Sequence, residues 1–133
     1  MTVEESVVVR RQQEEVYDLV SNLERAPEWH SSLESVDVER RVEVRNFAGH
    51  RREASFEVTD DDRPRRFAIE SRAGRVRAHA AFSLTPDTDG TRVGLRLEID
   101  LGTGGRLAAA MIRGRVARDA REDLRRLSEL LEA

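Results

Sequence analysis

The chain has 133 residues, 37% of them charged and 38% hydrophobic, and a formal net charge of −3. All 23 basic residues are arginine, and cysteine is absent as well as lysine. This excludes Schiff-base chemistry, a Walker-type phosphate loop, thiolate nucleophiles, disulfides and cysteine-held metals, each of which needs an amine or a thiol.

Val3 to Arg10 is rich in valine and predicts a strand. From Gln12 to Leu23 the period changes: Val16, Leu19, Val20 and Leu23 fall on one face of a helix, with Glu14 and Glu15 in its first turn, where the helix dipole favours acids. Glu24 to Glu28 predicts a second short helix ending near Pro27. After Trp29-His30-Ser31-Ser32 the period becomes two. Val36 and Val38 alternate with acids, then Val42 and Val44, and after a break at Ala48-Gly49 come Ala54, Phe56 and Val58. Asp60 to Pro64 predicts a turn. Phe67 and Ile69, a turn at Gly74, the run Val76 to Leu84, a turn at Pro86 to Gly90 and the run Val93 to Leu101 complete six strands in this stretch. The last thirty residues, Gly104 to Ala133, read as one long helix with Ala117, Ala120, Leu124, Leu127 and Leu131 on its apolar face. The expected architecture is α+β. A curved seven-stranded antiparallel sheet wraps around the C-terminal helix, and two short helices follow the first strand, all in a single domain over residues 1–133.

Three stretches carry a family resemblance. Val16 to Trp29 resembles the helix–helix–Pro–x–aromatic opening of the START-like (SRPBCC, helix-grip) superfamily, in its polyketide cyclase/dehydrase and coenzyme Q-binding branch. Val58-Thr59 with Asp62 to Phe67, and Gly90 to Val93, resemble later hairpins of the same family. The resemblance implies a cavity between sheet and helix that receives an apolar or amphipathic small molecule such as a lipid, polyketide or quinone. It equally allows a polyketide aromatase/cyclase or dehydratase using the same cavity, or a protein-interaction module without a ligand. The family's cyclases are expected to carry an inward Arg and a Tyr at positions that fall here near Val58 and Leu33, both apolar.

The residues narrow the candidates for ligand contact. Small side chains at Ala54, Ala78 and Ala80 on the strands, and at Ala109, Ala110, Gly114, Ala117 and Ala120 on the helix, either let the facing layers pack closely or leave a space between them. Phe56 and Phe82 join Ala80 on the inward strand positions. Arg113 falls on the backward extension of the Ala117–Ala120 seam, where it either points inward toward a ligand oxygen or snorkels to solvent. Arg52 shares parity with Ala54 and Phe56. Trp29 is expected beside the cavity mouth, as core plug or ligand contact, and Tyr17 at the edge of the first helix's buried face. His30, Ser31, Ser32 and Asp37 lack a nucleophile elbow and do not make a triad. His79 is expected to face outward. Asp87-x-Asp89-Gly90 fails as a calcium loop because its sixth position is Arg92. Gly102 to Gly105 is expected to serve as a turn or lid. No metal or cofactor is expected. With six aromatics and a negative net charge, no nucleic-acid partner is expected; a protein partner stays open. The start of the sequence shows no basic-then-apolar leader and no apolar run is bilayer-length, so a cytoplasmic chain without stable membrane insertion is expected.

Overall fold

A computed structural model describes residues 1–47, 49–102 and 105–133. The chain runs β1 (Thr2–Val9), α1 (Gln13–Val20), a 3₁₀ segment (Leu23–Glu28), β2 (Leu33–Asp37), β3 (Val42–Phe47), β4 (His50–Asp62), β5 (Arg66–Ala73), β6 (Val76–Asp87), β7 (Gly90–Asp100) and α2 (Gly105–Glu132). The seven strands form one antiparallel sheet in the order β1-β7-β6-β5-β4-β3-β2. The chain thus crosses from β1 to the far edge through its short helices and returns hairpin by hairpin, which is the expected helix-grip architecture. The break expected at Ala48-Gly49 and the lid expected at Gly102 to Gly105 include Ala48, Thr103 and Gly104, which lie outside the described residues.

Cross-strand pairs share a face, so the register fixes which side chains look toward α2. Phe67, Phe82 and Leu95 stand opposite one another, as do Leu84 and Val93, and they form the core with Val16, Leu19 and Trp29 below and Ala120, Leu124 and Leu127 of α2 above. Gly90 opens the last hairpin with φ +145°, and a Cβ there would lie 2.1 Å from the Val9 carbonyl oxygen, so β1 and β7 close only around a glycine.

Three local expectations are corrected. α1 stops at Val20, because the Ser21 hydroxyl takes up the Tyr17 carbonyl at 2.7 Å and the chain tightens into the 3₁₀ segment. Asp60 to Asp62 continue β4 past a bulge near Thr59 and do not form the turn; Asp60 and Asp62 are held by ion pairs to Arg66 and Arg65, at 3.3 Å and 2.9 Å. On β3 the inward set is Glu43, Arg45 and Phe47, since Glu43 stands opposite buried Ala54 and Arg45 opposite Arg52, while Val42 and Val44 take the outer face. The shift between Leu33 and Ser35 on β2 resets the count there and places Leu33 and Val36 together on the inner side.

Candidate functional site

The inner face of the sheet is closed at one end and open at the other. Toward the β4–β5 and β6–β7 turns its side chains are buried under α1 and the C-terminal half of α2. Toward the tips at Gly49 and Gly74, Ile69, Ala80 and Leu97 form a cross-strand row that is only half-buried, and the next row, Ser71, Ala78 and Ile99, is the same. Val58, opposite Ile69, is 43% exposed. The helix explains the difference. It runs closest to β1, and its seam passes through Leu127, Leu124, Ala120 and Val116 to half-buried Ile112 and Ala109, leaving Leu107 and Met111 exposed. The first half of α2 therefore leaves an apolar strip of the inner face, termed the trough, only half-covered. The Arg115 guanidinium sits 5.3 Å from the Phe47 ring centre and bridges helix to β3 at one side of the mouth.

Polar side chains meet where β3 and the segment before β2 approach α2. Glu43 is 4% exposed. The Arg45 Nε donates to its Oε1 at 2.8 Å and Nη2 to Oε2 at 3.4 Å, while Nη1 donates to the Ser32 hydroxyl at 3.0 Å. A guanidinium has five N–H donors, so this side-on grip leaves two. Next to the pair, the Asp123 carboxylate of α2 accepts the Ser31 backbone N–H at 2.7 Å and lies 3.7 Å from the His30 ring. That separation is too long for a hydrogen bond. Burial, with the Arg45 charge nearby, lowers the His30 pKa to about 3 and keeps the ring neutral. Burial also pushes the Asp123 carboxyl above its ordinary range, against the pull of the Ser31 amide. Trp29 stacks on His30 with ring centres 3.8 Å apart and meets Phe82 edge-on at 5.6 Å. Its indole N–H is buried and has no acceptor among the described residues.

The sequence candidates distribute unevenly over this site. Phe56, Ala80 and Phe82 are on the inner face, Phe56 and Phe82 buried and Ala80 half-buried. Arg52 is on the same face, exposed, opposite Arg45. Ala117 is half-buried at the edge of the α2 seam. Arg113 and Gly114 are corrections: both are exposed, and a Cβ on Gly114 would meet nothing within 4 Å. The seam passes through Val116 and Ile112, about 100° round the helix from the line drawn through Ala117. Tyr17 is also a correction. It is fully buried against Phe67, with its hydroxyl held between the Asp61 carboxylate and the Arg66 carbonyl at the closed end. Burial and Asp61 raise its pKa. Glu43, Arg45 and Asp123 had no place among the sequence candidates. The one local signal was Phe47, which shares their strand parity with Glu43 and Arg45.

A depression of about 570 Å³ lies on the outer face of the sheet, between Ser6, Ser83, Gly94 and the Glu4–Arg96 pair. Charged side chains border it, and it does not communicate with the polar cluster.

Residues 1–132 match the family described as polyketide cyclase / dehydrase and lipid transport. The fold is similar to that of a Thermus thermophilus protein, with a TM-score of 0.84 and 23% identity, covering 98% of this chain and 97% of that one. It is similar to the Zhui aromatase/cyclase of a Streptomyces species, with a TM-score of 0.77 and 18% identity over 99% and 93% of the two chains. It also resembles the di-domain ARO/CYC StfQ of the steffimycin biosynthetic pathway, with a TM-score of 0.78 and 14% identity, covering 98% of this chain and 50% of that one. No curated protein sequence gives a match.

Proposed function

The chain belongs to the polyketide cyclase / dehydrase and lipid transport family, and from that premise we propose that it holds an amphipathic organic molecule in the trough between sheet and α2. The observation that carries this reading is the row Ile69, Ala80 and Leu97, apolar, inward-facing and only half-buried. Covering apolar surface that the protein itself leaves wet stabilises a complex by ~25 cal/mol per Å². The polar end of the molecule meets the two unused N–H donors of Arg45, which Glu43 and Ser32 hold in place. The orphaned Trp29 indole N–H is a further donor for a ligand oxygen.

The test is native mass spectrometry of the purified protein, followed by titration with a fluorescent apolar probe and with long-chain carboxylates. Ala80→Trp fills the trough floor without touching Arg45. Loss of probe binding in a folded Ala80→Trp variant supports the reading. Unchanged binding in that variant, or no binding by the parent protein, removes it.

A second reading is favoured by the polar cluster itself. Arg45 beside neutral His30 and the buried Asp123 carboxyl is an arrangement that polarises a carbonyl and accepts or returns a proton. In cyclisation of a poly-β-ketone, a base would remove an α-proton and the enolate carbon would attack a second carbonyl. The alkoxide would take up a proton, and loss of water would follow. Turnover of a β-ketone thioester by the parent protein but not by Arg45→Met, with probe binding retained in both, would establish catalysis. Equal rates in the two would reject it.

A further inference from the structure

Charge is distributed unevenly along the sheet axis. At the closed end the acids at the end of β4, Asp60 to Asp62, and those of the β6–β7 turn, Asp87 and Asp89, lie among arginines, with Arg66 paired to Asp60, Arg65 to Asp62 and Arg92 to Asp87. The open end collects the β3–β4 and β5–β6 tips and the start of α2. Residues 105–118 of α2 contain Arg106, Arg113, Arg115 and Arg118 and no acid. The acids nearby are already engaged: Glu34 with Arg51, Glu70 with Arg72 and Arg77, and Asp100 with Arg77. Glu53 is exposed. Arg52, Arg75, Arg106 and Arg113 are exposed and have no ion pair among the described residues. Within this cationic end Leu107 and Met111, one helical turn apart, are 74% and 79% exposed.

We infer that the first half of α2 seats the protein on an anionic lipid surface, with Leu107 and Met111 entering the acyl boundary and the arginines meeting headgroups. Long side chains that stand clear of the surface, on a helical segment (residues 105–118) whose charges are all positive, are the pattern of an interfacial helix. A protein partner is disfavoured by size, since a stable interface covers about 800 Å² on each side and two isolated side chains provide no such area. No helix of the described residues is long and apolar enough to cross a membrane, so the contact is peripheral. Docking does not require the trough reading. If both hold, the mouth of the trough faces the bilayer when the protein docks.

The experiment is co-sedimentation with phosphatidylcholine vesicles, with and without phosphatidylglycerol, at low and high salt. Binding is expected only to the anionic vesicles and is expected to fall with salt. Arg106→Ser and Arg113→Ser are each expected to lower it about fivefold, and Leu107→Ser with Met111→Ser more than tenfold. All four positions are exposed, so circular dichroism is expected to show unchanged folding. The inference is overturned by absence of binding at low salt, by equal binding to neutral vesicles, or by binding that these variants leave unchanged. Concentration-dependent dimerisation lost in Leu107→Ser, without vesicle binding, would assign the face to a second copy of the chain and equally overturn it.

Discussion

The Glu43–Arg45 pair gives an ordered set of stability changes. Its two members differ in access to water: Glu43 is 4% exposed, whereas the Arg45 side chain is 35% exposed. At about 4 Å and an effective dielectric near 20, two unit charges attract by ~4 kcal/mol, most of it offset by desolvation. Glu43→Gln leaves a guanidinium that can turn toward solvent, so the expected loss is about 1–2 kcal/mol. Arg45→Met strands the more deeply buried carboxylate, and the expected loss is about 3 kcal/mol, near the lower limit for breaking a buried pair. For a chain of this size 1 kcal/mol corresponds to roughly 3–5 °C in Tm. The double variant removes both charges and is expected to lose at least ~1 kcal/mol less than the sum of the singles. Urea denaturation of the four proteins, with m-values compared, measures the cycle. Strict additivity, or a milder effect of Arg45→Met than of Glu43→Gln, would refute the reasoning that Glu43 is an interior charge sustained by Arg45.

Other outcomes follow from single features. Gly90→Ala is expected to cost at least about 2 kcal/mol, because its φ is +145° and its Cβ would meet the Val9 backbone; thermal melting measures this, and a neutral result would mean that the β1–β7 junction shifts freely. Leu127→Ala removes a fully buried side chain from the core under α2, and denaturant unfolding is expected to show a loss of about 2–5 kcal/mol. His30 is neutral in the fold with a pKa of about 3, whereas the unfolded chain takes a proton below about 6.5. Between those values the unfolded state binds more protons, so the His30 contribution destabilises the fold as pH falls from 6.5 toward 3, by at most ~1.4 kcal/mol per unit. Asp123, whose pKa is raised, acts in the opposite direction above the ordinary carboxylate pKa. His30→Gln is expected to flatten the slope measured between pH 6.5 and 5; an unchanged slope would place the titration elsewhere.

The strands were legible where burial and alternation coincide. On β6 and β7 every second residue is apolar and inward, so pattern and register agree. β3 was misread because Val42 and Val44 also alternate, and only pairing with Ala54 and Arg52 shows that Glu43 and Arg45 take the inner face. A bulge on β2 is invisible to a period-two count. Along α2, Leu107 to Ile112 is an unbroken apolar run, too short to span a bilayer. Leu107 and Met111 are nonetheless exposed, on the side of the helix turned away from the seam through Ala109, Ile112 and Val116. The cluster joins Ser31 to Asp123 across 92 residues, and no local spacing encodes such a meeting. Arg113 illustrates the sensitivity of helical phase, since an error of one residue in the seam moved it from the surface to the interior.

α2 is fastened at one end only. Leu124, Leu127 and Ala120 are locked into the core, whereas the turns around Leu107 and Met111 touch little. Substitutions in the second half therefore act on stability, whereas those at the exposed positions of the first half, Leu107 and Met111 among them, have little folding consequence. One continuous helix thus separates positions that fix the fold from exposed positions whose side chains answer only to what the surface meets.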